Sequence, residues 1–468
     1  MPSKFYLMLM FLSGVVFMVG IGLFAHEYAT PEWRKYQVEY KDFVRSNAKD
    51  EATARLAESM DIGIQQIYLK TLGRIDRCTS CHVGVENPMM AKAALPLRQH
   101  SGDYLKNHPA DRFGCTVCHF GQGRATNKVA AHGLGHETHW DNPILPVEYV
   151  QSSCAQCHDM EMLKDKGGEM VVKGKKLFLE RGCKGCHKLD STGGVIGKAL
   201  DGVGSQPIAY FSMKNVQGEK TVYTWMKQHF DDPRNIVPTS EMKTELTDQE
   251  AEYITNYVLS LRTQEIPKKY RRINTTPEAE KTGEDLYRMY CVACHADGKT
   301  SSFDEVFKRT VPAISNPAFL KAATNDYLKK VIEEGRAGTQ MTAWKASAAG
   351  LTEAEIKSIV EYVSKDRPEQ QGEPFGYQIT NGDSKAGEDL FRVRCVDCHG
   401  KNGQGGIGLN LRNPVVQKEA SPEFLATTIR DGREGTHMAS FGKGGSGLSD
   451  KNIADIVAYI KTFSGVKK

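Results

Sequence analysis

The sequence predicts a mainly α-helical chain: an N-terminal transmembrane helix, then a compact block, then three small all-α domains in tandem. Three observations predict it. Phe5 to Phe24 is a run without a single charge. Three Cys-x-x-Cys-His motifs crowd into residues 78–158, leaving little length for a side-chain core. From about residue 166 an internal repeat begins and recurs twice. A length of 468 residues allows about three domains. The net charge of +4 is small, so nothing points to nucleic acid or an acidic substrate.

The apolar run FYLMLMFLSGVVFMVGIGLF would span about 30 Å as a helix, the thickness of a bilayer core. A cleaved signal peptide would carry a shorter apolar region and an Ala-x-Ala-like site, of which Leu23-Phe24-Ala25 is a poor version. An uncleaved anchor over residues 1–25 is therefore the expectation. Lys4 stays in the cytoplasm, while Trp33 and Tyr36 follow the far interface and His26 is interfacial. That orientation anchors the chain in a bacterial inner membrane with the remainder in the periplasm. Residues 26–77 are expected as a helical spacer. Pro31 to about Leu72 reads as helix, with Trp33, Tyr36, Tyr40, Phe43 and Val44 at three- and four-residue spacing.

All twelve cysteines fall in six copies of Cys-x-x-Cys-His: Cys78/Cys81/His82, Cys115/Cys118/His119, Cys154/Cys157/His158, Cys183/Cys186/His187, Cys291/Cys294/His295 and Cys395/Cys398/His399. The composition predicts on the order of 0.01 such matches by chance. The pattern is the attachment signature of c-type haem. Two thiols add across the vinyl groups, and the next His falls under the iron as proximal ligand. Zinc sites and disulfides also use paired cysteines, but neither requires a His after every pair. Six covalent haem c groups, each with its iron, are expected. Haem c is attached outside the cytoplasm, which agrees with the orientation of the anchor.

Residues 78–165 are then a tri-haem block whose haems must pack on one another. Five spare His lie there: His100, His108, His132, His136 and His139. Three irons need sixth ligands. His108, His132 and His139 are favoured, followed by His100 and then His136. His108 lies seven residues before Cys115, and glycines in AHGLGHETHW let the backbone approach a haem face.

The repeats occupy residues 166–265, 266–368 and 369–468. Each opens with Gly-x-x-Leu-aromatic: Gly174/Leu177/Phe178, Gly283/Leu286/Tyr287 and Gly387/Leu390/Phe391. A haem motif follows, later a Met, and then a closing helix: Leu246–Tyr257, Leu351–Tyr362 and Leu448–Tyr459. Thr247/Glu250 and Thr352/Glu355 are capping-box pairs, and Ser449 can cap the third helix although Asn452 replaces the acid. Residues 263–282 and 366–384 are polar and Pro-containing, as linkers are. Gly403 to Gly408 matches Gly-x-Gly-x-x-Gly, but no strand precedes it, so it reads as a loop over haem and not a dinucleotide site.

On these motifs the three units resemble mono-haem class I cytochrome c domains, and the last two also resemble the tandem c domains of haem-copper oxidase di-haem subunits. The resemblance implies a distal Met late in each domain: Met242 in PTSEMK, Met341 in GRAGTQMTAW and Met438 in GREGTHMASF. His437 is the nearest rival to Met438, but it aligns with Gln340. His229 reads as a surface residue. The family often carries a Pro whose carbonyl orients the proximal His. Pro312 fits that role, whereas Lys198 and Leu409 stand at roughly the matching places in the other copies.

Thioether sulfur stabilises ferrous iron better than a second imidazole, so His/Met ligation raises the potential. The ligand reading makes the N-terminal block low-potential and the three C-terminal domains high-potential. RCTSCHVG, FGCTVCHFGQG and the AHG…HW stretch give the block a resemblance to c subunits that work beside a cytochrome b and an iron–sulfur protein in bacterial quinol-oxidising complexes. A single helix builds no quinol pocket, so a cytochrome b/Rieske-type membrane partner and a periplasmic acceptor or oxidase are implied. The chain is expected to be an electron-transfer subunit without catalytic residues of its own. The competing readings are a multihaem reductase with one open iron and a component of an extracellular haem wire.

Overall fold

The apolar run forms one unbroken helix, Lys4–Ala29, in the computed structural model, which describes residues 4–134, 140–263, 266–272, 279–369 and 374–465. Its stretch Lys4–His26 has a mean hydropathy of 2.5 and buries nothing against protein. An apolar helix without a protein neighbour fits a membrane anchor. The rest of the chain is mainly α, with only two short antiparallel strand pairs among the described residues.

The expected continuous spacer helix is corrected. Helix Glu32–Ser46 stops where Asn47 Nδ2 turns back to the Phe43 carbonyl (2.9 Å). Asp50 starts a new helix, Glu51–Glu58, by accepting from the Thr53 N–H (2.7 Å). Strands Ile67–Leu69 and Arg74–Asp76 then form a hairpin, turned by Gly73 at φ +63°. Short polar capping side chains compete with helix continuation, and Ile67-Tyr68 favours the extended state.

The chain divides into two compact units. The first comprises Met1–Glu169, Gln206–Val237 and Gln264–Asn274; the second comprises Met170–Ser205, Pro238–Thr263 and Thr275–Lys468. The first unit is built from short helices and 3₁₀ turns, with a sparse core that includes Met90, Leu97, Val117, Leu145 and Tyr149.

The second unit repeats one packing device three times. Opening helices Glu169–Glu180, Gly283–Tyr290 and Ser384–Arg394 accompany closing helices Asp248–Ser260, Glu353–Val363 and Asp450–Thr462. A Cβ at Gly174, Gly283 or Gly387 would lie 2.0, 2.1 or 1.9 Å from a carbonyl oxygen of the closing helix. Glycine is thus what lets the two backbones touch. One turn on, the aromatics meet: Phe178–Tyr257 at 5.1 Å, Tyr287–Tyr362 at 5.4 Å and Phe391–Tyr459 at 5.4 Å. All three closing helices carry complete capping boxes, Asn452 serving in place of an acid. Thr352→Ala removes one box and is expected to cost about 1 kcal/mol. For a unit of this size that is a fall of roughly 3 °C in Tm, readable by circular dichroism; an unchanged Tm would mean the box contributes nothing.

The last two repeats share one hydrophobic core running from Leu286 to Phe463. They also exchange matching contacts. Asn316 Nδ2 donates to the Glu434 carbonyl (2.7 Å), and Asn413 Nδ2 donates to the Ala337 carbonyl (3.0 Å). Each Asn caps an Asn-Pro helix start, and each acceptor follows an Arg in a Gly-Arg-x-Gly loop. Tyr327 and Phe424, equivalent positions in the two copies, stack at 4.6 Å. Such reciprocity is what a duplicated domain produces when its copies pack face to face.

Neither linker is free. Within the second, Ile379 is buried, the Arg430 guanidinium lies 4.1 Å from the Phe375 ring, and the Gly376 N–H donates to Asp450 (2.5 Å). Within the first, Ile266 is buried and the Tyr270 ring lies 5.9 Å from Phe113.

Candidate haem sites

Five of the six Cys-x-x-Cys-His motifs form a single short turn, the third ends the 3₁₀ stretch Val147–Gln156, and all twelve cysteines are free and half-buried. In each motif the His N–H donates to the carbonyl of the first Cys. Burial pushes His82, His119, His158, His187 and His399 below the usual imidazole range, and His295 to about 4. These rings are neutral at neutral pH, the form that binds iron.

In the three repeats a backbone carbonyl fixes each proximal ring. Nδ1 of His187 donates to Lys198 (2.8 Å), that of His295 to Pro312 (3.3 Å) and that of His399 to Leu409 (2.9 Å). Lys198 and Leu409 therefore do what Pro312 does, because the carbonyl matters and not the side chain. Each bond leaves Nε2 free for iron. Glycines allow the loop that close: a Cβ at Gly197 would sit 2.4 Å from the His187 ring, and one at Gly408 would sit 2.9 Å from His399. The Gly403–Gly408 stretch is that loop, with the Gly405 N–H on the His399 carbonyl (2.7 Å) and the Gly408 N–H on that of Cys398 (2.8 Å).

Met242, Met341 and Met438 are all half-buried and held by the same turn. Their N–H groups donate to the hydroxyl two residues earlier: Ser240 (3.2 Å), Thr339 (3.1 Å) and Thr436 (3.1 Å). Met341 and Met438 also receive the Arg336 and Arg433 N–H groups on their carbonyls, at 2.8 Å each. His437 is exposed. His229 departs from its expected surface placement: it is half-buried and stacks on Trp225 at 4.5 Å.

Within residues 78–165 three spare imidazoles each lie close to the imidazole of one Cys-x-x-Cys-His motif. Ring centroids are 6.4 Å apart for His82–His132, 6.0 Å for His119–His100 and 5.8 Å for His158–His108. Two imidazoles on opposite sides of one metal, with bonds of about 2 Å, have centroids roughly 6 Å apart. Each pair can therefore take one iron between its rings. His100, placed behind His139 on sequence grounds, faces His119; His136 and His139 lie outside the described residues.

Sequence reasoning missed Asp76. It is fully buried and accepts from the N–H groups of Cys78 (3.1 Å), Cys115 (2.7 Å) and Thr116 (2.9 Å). Burial alone would raise its pKa, but these donors outweigh burial and hold it below the usual carboxylate range. The only signal was an Asp two residues before the first motif. Equally unsignalled are two buried arginine atoms. Arg336 Nη1 and Arg433 Nε have no hydrogen-bond partner among the described residues, although the Arg433 guanidinium lies over the Phe319 ring at 4.6 Å, and burial lowers the Arg433 pKa to about 10. Unpaired buried guanidinium donors beside His295 and His399 suit the carboxylates of a porphyrin. Thiols, neutral imidazoles and these cations together fit haem c.

Comparison with known proteins agrees with this chemistry. Residues 278–363 and 382–460 match the family described as cytochrome c oxidase, cbb3-type, subunit III, and residues 171–262 match the family described as cytochrome c. Cytochrome c-554(548) of Halomonas halodenitrificans is 42% identical over 79 residues, which are 17% of this chain and 93% of that protein. The cbb3-type cytochrome c oxidase subunit FixP of Azorhizobium caulinodans is 23% identical over 198 residues (40% of this chain, 60% of that protein). The cytochrome bc1 complex cytochrome c subunit of Corynebacterium efficiens is 25% identical over 197 residues (38% of this chain). The chain spans 60% and 62% of the length of these last two relatives. With its repeated haem motifs, the chain belongs to the cytochrome c family as a multihaem c-type cytochrome.

Proposed function

We propose that this chain is the membrane-anchored cytochrome c arm of a quinol-oxidising complex, with six covalent haems in the periplasm. Covalent haem supplies reversible one-electron chemistry at iron. The pairs His82/His132, His119/His100 and His158/His108 would each hold one iron in the N-terminal block, and His187/Met242, His295/Met341 and His399/Met438 would do so in the repeats, residues 166–265, 266–368 and 369–468. With every iron held by two side chains, none would be open to substrate, which favours electron transfer over a reductase.

The observation that carries this reading is the three imidazole pairs spaced for one iron each. They support a low-potential block next to the anchor and a high-potential end in the Met-ligated repeats. Electrons then run from a cytochrome b/Rieske-type donor toward a periplasmic acceptor or oxidase. Relatives described as subunits of bc1 and cbb3 complexes support a place in such an assembly.

Mild-detergent purification from native membranes tests it. Six haem c per chain, haem b in comparable amount and quinol oxidation in the eluate are expected. Haem c without haem b would remove the quinol-oxidising complex from the reading, and fewer than six haems would remove the ligand scheme.

A further inference from the structure

The tri-haem block has a spatial order. The first motif lies against the helix that leaves the membrane anchor: Gln37, fully buried on Glu32–Ser46, donates to the Ser80 carbonyl (2.9 Å). The first and second motifs touch, since Cys78 and Cys115 sulfurs and an Asp76 oxygen lie within 4.8 Å of one another. The second and third are joined by Gln156 Nε2 on the Val117 carbonyl (3.2 Å). The third is strapped by the linker of residues 266–272. There the Arg272 N–H donates to the Cys157 carbonyl (2.5 Å), and the Asp159 N–H donates to the Arg272 carbonyl (2.8 Å).

Charge is distributed unevenly along that order. Asp76 is a buried anion wedged between the first two motifs. Glu32 adds a second beside the first: its Oε2 accepts from the Lys128 N–H (2.8 Å), and its charge acts on Cys81 and His132. At His132 Lys128, from the helix that ends in that residue, outweighs Glu32, so the Glu32 charge bears on the first motif through Cys81. Arg77, although adjacent to Cys78, turns its guanidinium away to Gln66 (2.9 Å) and the Arg124 carbonyl (2.7 Å). Cations act chiefly on the third motif: Arg271, Arg272 and Arg74 on Cys157, and Arg272 and Lys166 on His158, while the Glu169 carboxylate acts on Cys154. Arg74 is shared with the second motif, where its Nη1 donates to the Thr116 carbonyl (3.2 Å) and its charge acts on Cys118. An anion near an iron favours its ferric state and a cation its ferrous state, most strongly where water is excluded.

We infer that the block is electrostatically graded: Asp76 and Glu32 hold the first two haems at lower potential, while Arg271 and Arg272 hold the third at higher potential. Electrons enter beside the membrane helix and leave at the third motif, under the strap that leads into the next repeats. This rests on the bis-imidazole reading given above, and it gives that reading a direction inside the block.

A mediated spectroelectrochemical titration of the full-length holoprotein in detergent tests it, comparing wild type with Asp76→Asn, Glu32→Gln and the double variant Arg271→Gln/Arg272→Gln. The double variant is expected to lower the highest of the three bis-imidazole midpoints by roughly tenfold in reduced-to-oxidised ratio, about 59 mV for one electron. Asp76→Asn and Glu32→Gln are expected to raise one or both of the others and leave the highest in place. Glu32 and the two arginines have solvent access, so those variants keep the test alive if Asp76→Asn does not fold. Unmoved midpoints, movement of the same midpoint by both kinds of variant, or a lowest midpoint that answers to the arginines would overturn the grading. Electron paramagnetic resonance of the wild-type sample counts bis-imidazole haems separately. Fewer than three there would strike the ligand reading itself.

Discussion

Met438→His in the full-length protein is expected to lower one high-potential midpoint by on the order of 0.1–0.2 V, within the ≈ 0.8 V span that axial ligands command. The other two high-potential midpoints should stay where they are. Met438 is half-buried, packs against the shared core, and is fixed by its own N–H on Thr436 Oγ1 (3.1 Å) and by the Arg433 N–H on its carbonyl (2.8 Å). A His there keeps the turn, because both bonds use the main-chain atoms of residue 438, and exchanges sulfur for nitrogen at the side chain. The neighbouring exposed His437 supplies the control: His437→Ala should leave every midpoint unchanged. If His437→Ala moved the midpoint and Met438→His did not, the ligand would be the histidine. Loss of the weak charge-transfer absorption of sulfur-ligated ferric haem in Met438→His would mark the exchange independently of the potential.

The parts of this molecule legible in the sequence are those where one residue type has no substitute. A Cys-x-x-Cys-His turn needs all three ligating groups, so all six motifs could be located. Gly-x-x-Leu-aromatic was visible three times because two helices in backbone contact tolerate only glycine, and the Phe178, Tyr287 and Phe391 rings fill the next turn. The sequence offered five spare histidines in the block and no pairing for them. His100 faces His119 because the chain after Met90 folds back, with the His100 N–H on the Val85 carbonyl (2.8 Å), and no local pattern encodes that reversal. Asp76 was invisible for the same reason: two of its three donors lie about forty residues downstream. Polar, Pro-containing composition marks the linkers but says little of the few apolar residues, Ile266, Tyr270, Phe375 and Ile379, that pin them down. The spacer misled because helical periodicity over Trp33 to Val44 was extended through Asn47 and Asp50, which end one helix and start the next.

Gly387→Ala should be the most damaging single-methyl change in the second unit. The added carbon would lie 1.9 Å from the Asp455 carbonyl oxygen and 2.4 Å from its carbon, both backbone atoms of the closing helix. No side chain can yield, so the helices must separate, and the Phe391–Tyr459–Phe463 cluster at 5.0–5.8 Å must open with them. Overpacking of this kind costs about 3 kcal/mol or more, a large share of the 5–15 kcal/mol that holds a typical domain folded. The expected fall in Tm is roughly 6–12 °C for a unit of this size. The last two repeats share one core, so the fall should be seen as a single transition in Soret circular dichroism of both haems. Gly444 lies in the same repeat with nothing within 4 Å of its would-be Cβ, so Gly444→Ala should leave the transition in place. Equal shifts from the two substitutions would show that glycine at position 387 serves the loss of a side chain in general, and that the helix crossing is not what limits the fold.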